Sequence, residues 1–236
     1  MIAFDAGSNS GVKATVSTYS FNHTTGSLTN GLIAVVVISR GAAANGDMNV
    51  SSVTYNGASL TKAVEVNSGD IPASATLAVS IWYRVAPTSG TNSVAVTYTG
   101  TVNHSVAYAV TLSGVDQTNP LDATNSSHAL SESSPLSTPV TVVAANSWII
   151  DGVYEKIGVT LSPGASQSLI STELFPNGGG DTADASYKGP VSAGANDMSW
   201  SWSGAADDYA HAVASFAPAA AAVSYRSNNL LTLGVS

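Results

Sequence analysis

The segment ATLAVSIWYRVAP, Ala75 to Pro87, alternates along its length. Leu77, Val79, Ile81 and Tyr83 fall on one side of an extended chain, and Ala78, Ser80, Trp82 and Arg84 on the other. A period of two specifies a β-strand, and Pro87 with Gly90 ends it in a turn. The pattern then recurs. NSVAVTYTG (Asn92 to Gly100) sets Val94, Val96 and Tyr98 inward, and HSVAYAVTLSGV (His104 to Val115) does the same with Val106, Tyr108, Val110 and Leu112. Three such segments with short connections predict an antiparallel meander or Greek-key portion of a sheet.

Upstream, LIAVVVIS (Leu32 to Ser39) is apolar on both faces and rich in β-branched residues, which favours a central strand. SSVTYNGASLTKAVEV (Ser51 to Val66) carries Asn56-Gly57 between two extended arms. Both residues tolerate positive φ, so this is a hairpin with a type I′ turn. Residues 1–16 read as an entry arm, with an early strand near Lys13 to Phe21.

In LSGVDQTNPLD (Leu112 to Asp122) the strand ends at Gly114, Asp116 and Asn119 hold a turn, and Pro120 stops further pairing. Polar sequence follows, DATNSSHALSESSPLSTP (Asp122 to Pro139), and residues 116–138 are the one plausible internal boundary. Further strand candidates are VTVVAA and SWIIDGVYE on either side of Asn146, then SQSLISTELF, DASYKGPV, DMSWSWSG and DDYAHAVASFAP. The total is about eleven to thirteen short strands with turn residues between them and no βαβ rhythm. The fold class expected is all-β: an antiparallel two-sheet β-sandwich, jelly-roll-like, with residues 1–218 as a single domain and 219–236 as a C-terminal strand or arm. Leu230, Leu231, Leu233 and Val235 give that arm an apolar side suited to assembly on a sheet edge or groove.

The 236 residues can bury a core on the order of 70–75% of the unfolded surface. Cysteine is absent, which excludes disulfides, thiolate nucleophiles and cysteine-ligated metals. Only 9% of residues are charged and the net charge is −8, so no basic stripe for nucleic acid can form. The longest apolar run, Leu32 to Ile38, is far short of the roughly 20 residues of a membrane helix. The N-terminus MIAFDAGSNSG shows no secretory leader pattern, and no membrane insertion is expected.

Chemistry-bearing motifs are sparse. Ser59-Leu-Thr-Lys62 matches Ser-x-x-Lys but lacks its companion elements and sits on a strand leaving a hairpin. His23, His104, His128 and His211 are scattered singly, without metal-ligand spacing. Calcium is the more serious candidate: Asp181 and Asp184, in NGGGDTAD, offer hard oxygen ligands beside glycines that let carbonyls converge. Otherwise no cofactor is expected. Trp82, Trp200 and Trp202 suit either stacking on carbohydrate or filling a sandwich core; Trp200 and Trp202 share one strand face.

The run from SSVTYNGASLTK through VSIWYRVAPTSGTNSVAVTYTG to YAVTLSGVDQTNPLD, closed by HAVASFAP, resembles a domain met in bacterial secreted or surface proteins and in phage structural proteins. The resemblance implies a jelly-roll-like β-sandwich, a virion-surface or extracellular setting and no enzymatic role. The expected function is that of a phage or phage-like structural protein, capsid-decorating or tail-associated. Its partners would be other copies of itself and capsid or tail proteins. The rival expectation is an extracellular or cell-surface adhesion or carbohydrate-binding module that binds surface glycans.

Overall fold

The computed structural model describes residues 1–41, 49–67, 77–156, 159–171 and 181–220. Its first strands are β1 (Ala3–Asn9), β2 (Lys13–Thr25), β3 (Leu32–Arg40), β4 (Val50–Tyr55), β5 (Ala58–Ser59), β6 (Thr61–Asn67), β7 (Leu77–Val85) and β8 (Gly90–Ser113). There follow β9 (Leu121–Glu132), β10 (Leu136–Val142), β11 (Ser147–Glu155), β12 (Ser162–Pro163), β13 (Ser168–Leu169), β14 (Thr182–Val191), β15 (Gly194–Ser201) and β16 (Asp207–Phe216). Every pairing is antiparallel and no helix occurs among the described residues, so the expected all-β, sandwich-like class holds. Among the described residues there are three sheets rather than two, and one of them folds over on itself.

β8 is responsible for the folding over. The sequence reads Asn92–Gly100 and His104–Val115 as separate strands joined by a turn, whereas the structure runs through both as one 24-residue strand. Its first half pairs with β4 and with Thr18 to Thr25 of β2, and its second half with β1, β3 and the start of β2. Between the halves the ladder slips: Val16 opposes Val102, yet Thr18 already opposes Thr97. The extra β8 residues bend the strand; the parity that faces the enclosed core is still even at Val102 and has become odd by Ala107. Val94, Val96 and Tyr98 point into the core enclosed by the fold-over together with Ala107 and Ala109, while Val106, Tyr108, Val110 and Leu112 point out of its other side.

The result is four β-layers. The outermost holds β2, the first half of β8, β4 and β5; the second holds β1, the second half of β8, β3, β7 and β6. The third is the sheet β13-β14-β11-β16-β9 and the fourth β10-β15-β12. Layers two and three enclose the largest core, in which Val36, Ile38, Val79 and Ile81 meet Ile150, Tyr154, Ala212 and Phe216. Smaller cores around Trp200, Leu136 and Val153 and around Met198, Ile149 and Val213 join layers three and four. β3 is buried on both faces because it has a layer on each side. β7 shows the alternation expected of it, with Leu77, Val79 and Ile81 in one core and Ala78 and Trp82 in another.

Two segments differ from their sequence reading. The entry arm is strand β1, and the polar stretch after Pro120 is strand β9, at the edge of the third layer. Both are edge strands held by backbone ladders, which need no apolar pattern. The Asn56-Gly57 turn is as expected, with φ of 50° and 75° and Tyr55 paired to Ala58. After two residues, however, the second arm leaves β4, and β6 pairs with β7. Asp116 holds its turn by accepting bonds from the Thr118 and Asn119 amides, which lower its pKa.

A buried polar node as candidate functional site

The third and fourth layers meet over a set of polar groups whose centre is Asp151, in the middle of β11. Alternation places Asp151, Val153 and Glu155 on the β11 face turned towards the fourth layer, with Thr182, Asp184 and Ser186 beside them on β14. Asp151 Oδ1 accepts from the Ser186 amide at 3.0 Å and the Ser186 hydroxyl at 2.6 Å. Oδ2 accepts from Trp200 Nε1 at 2.8 Å and from His211 Nε2 at 2.9 Å. Gln167 closes the group: its Nε2 donates to Ser186 Oγ at 2.9 Å, and its Oε1 accepts from the Ser199 amide at 2.8 Å.

His211 continues the network outwards. A carboxylate oxygen accepts, so Nε2 is the donor in the contact with Asp151. Nδ1 contacts Thr138 Oγ1 at 2.8 Å, and Thr138 in turn bonds Ser127, which is half-buried. Carboxylate, imidazole and hydroxyl in series is the order of an acyl-transfer triad. Here both ring nitrogens are committed within the sheet contact, and Asp151 and His211 are each 0% exposed. No atom of the pair meets a space a substrate could enter. The chain links β9, β10, β11, β14, β15 and β16, and what it can do is hold two layers in one register.

Asp184 lies on the same face, diagonal to Asp151. Its Oδ1 accepts from the Ala185 amide, while Oδ2 is buried without a hydrogen-bond partner. Burial raises its pKa to about 7, the Ala185 bond lowering it and Asp151 raising it further. Asp181 points to the opposite side of β14, where it pairs with Arg40 at the end of β3. The two carboxylates expected to share a calcium ion therefore belong to different layer contacts. Among the described residues no three His, Asp or Glu side chains converge as a metal site.

A second histidine network lies inside the folded-over sheet. His23 Nδ1 contacts Ser8 Oγ at 2.7 Å and Nε2 contacts Thr111 Oγ1 at 3.3 Å; Thr111 donates to Asp5 at 2.7 Å. Burial lowers the His23 pKa to about 4, partly offset by Asp5. His23 thus stays neutral in the fold at ordinary pH.

The tryptophans proposed for carbohydrate are all more than nine-tenths buried. Trp200 donates to Asp151, Trp82 donates to Ser80 Oγ under Lys62, and Trp202 packs with Leu136 and Tyr209, so none offers a free ring face to a sugar. The expected assembly residues Leu230, Leu231, Leu233 and Val235 lie outside the described residues. Sequence reading missed the Asp151–His211 pair: the two positions are 60 residues apart, on two separate strands with no spacing motif to join them. The signal was available in kind, since a charged residue inside a strand as apolar as SWIIDGVYE needs a buried partner.

Two open depressions are lined entirely by described residues. One is lined by Ser59, Thr61, Tyr83, Arg84, Gln117 and Pro120 among others, the other by Met1, Leu28, Asn30, Gly114 and Ala219, and neither contains a histidine or a carboxylate. No family model matches the chain, and no curated protein or solved structure matches it significantly.

Proposed function

We propose that this chain is a non-enzymatic structural protein of a phage or phage-like particle, decorating the capsid or attached to the tail at the virion surface. It works by assembly, with copies of itself and with capsid or tail proteins, through its sheet faces and terminal arm. The observation that carries the non-enzymatic part is the burial of the Asp151–His211–Thr138 series: acid–base groups are spent on joining layers. The outer faces also suit close packing against a neighbour. Thr18, Ser20, Asn22, Thr24, Thr91 and Ser93 cover the first layer, and Ser137, Thr141, Ala195 and Ser201 much of the fourth, nearly all uncharged. Placement on a particle is supported by the motif resemblance and the low charge of the sequence.

The test is direct. Particles purified from the source by density gradient are analysed by quantitative mass spectrometry for this chain at a fixed copy number per particle. Its absence from particles, with recovery only as free protein, would overturn the proposal.

A further inference from the structure

Among the described residues no strand pairs with the side of β2 away from β8, which is a sheet edge. β8 is the only ladder partner of β2 among the described residues, and from Thr18 to Thr25 the ladder is regular. Exposed strand edges in stable monomers are blunted by lysines, prolines, bulges or short length. This one has none of these between Thr18 and Thr25; the one charged side chain of the strand is Lys13, at its far end. Its inward residues Tyr19 and Phe21 pack against the enclosed core but remain only partly buried, so an added strand would complete their cover. Its outward residues Thr18, Ser20, Asn22 and Thr24 are exposed.

We propose that this edge is the contact with a second copy of the chain, β2 pairing antiparallel with the same strand across a two-fold axis near Phe21. The inference rests on the assembly reading above and names one of its surfaces. Directly opposed residues in an antiparallel pair share a face, so the axis sets Ser20 against Asn22 and Thr18 against Thr24 on the outside. Inside, Tyr19 meets His23. A self-paired strand opposes each charge to another copy of a charge only where the register brings them together, and this segment has no carboxylate, lysine or arginine to repel its copy. The outer layers of two copies would then form one continuous sheet, closing the edge by the symmetric interface commonest among homo-oligomers.

Sedimentation equilibrium and light scattering on the full chain test this, with three variants. Ser20→Lys/Asn22→Lys sets lysine opposite lysine at the axis. Ser93→Lys puts a charge on the same outer face but on β8, away from the edge. Ser20→Cys/Asn22→Cys introduces the chain's only thiols, which are placed to join two copies. The expected results are a wild-type dimer, dissociation at least tenfold easier for the double lysine variant with an unchanged circular dichroism spectrum, and little change for Ser93→Lys. Mild oxidation should give a disulfide-linked dimer of the cysteine variant. If the double lysine variant still associates while deletion of 221–236 abolishes association, the partner site is the C-terminal segment; this inference falls and the assembly reading stands. A wild type that stays monomeric at millimolar concentration overturns the edge contact and self-assembly together.

Discussion

At the scale of single residues, stability is set by buried polar groups. Asp151 accepts four close hydrogen bonds, so Asp151→Ala strands the Trp200, Ser186 and His211 donors in the layer contact. A loss of about 3–5 kcal/mol is expected, read as a fall in the urea midpoint. Asp184 and His23 give opposite pH dependences. Asp184 has its folded pKa raised to about 7. Its stabilising contribution is complete below the unfolded value near 3.8 and is lost as pH rises through 7, by roughly 4 kcal/mol at most. His23 has its folded pKa lowered to about 4. Its contribution is complete above the unfolded value near 6.5 and is lost as pH falls through 4, by roughly 3 kcal/mol. The two slopes oppose each other between about pH 4 and 6.5. Asp184→Asn should therefore unmask a loss of stability on acidification, and His23→Gln a gain, in denaturant titrations across that window. Parallel pH profiles for wild type and both variants would contradict this.

At the scale of elements, the close approach of β11 to the second layer depends on one missing side chain. A Cβ on Gly152 would lie 2.3 Å from Val36 Cγ1 and 3.2 Å from Val79 Cγ1. Gly152→Ala must push β11 away from β3 and β7, an overpacking that costs about 1–3 kcal/mol. The expected readout is a lowered thermal midpoint with far-UV circular dichroism retained. Gly57 makes the converse case. No atom lies within 4 Å of its Cβ position, yet its φ is +75°. Gly57→Val should destabilise through backbone strain alone, by about 1–2 kcal/mol.

At the scale of the whole molecule, the two halves of the chain share their largest core. Leu32, Val36, Ile38 and Val79 from the first half face Ile150, Ala185, Ala214 and Phe216 from the second. Separation at Pro120 would leave both sides of that contact in water, a patch beyond what monomers tolerate. Expressed alone, residues 1–119 should bind a hydrophobic dye and aggregate, and co-expression with 120–236 should suppress both. A soluble, dye-silent 1–119 fragment would show that the halves are independent.

Side-chain period and turn chemistry were enough to fix the class of this protein, because they act over a few residues. The alternation of Leu77 to Arg84, the two-sided apolarity of Leu32 to Ile38 and the Asn56-Gly57 turn all appear in the structure as the chain alone implies. Composition likewise excluded thiol chemistry outright. The bend inside β8, the edge strands β1 and β9, and the meeting of Asp151 with His211 were left to tertiary structure. An edge strand is held by backbone bonds that any sequence can make, and a long strand with a slipped ladder looks like two strands and a turn. A buried acid and its imidazole partner, 60 residues apart, become neighbours only when β11 and β16 pair and the fourth layer closes over them.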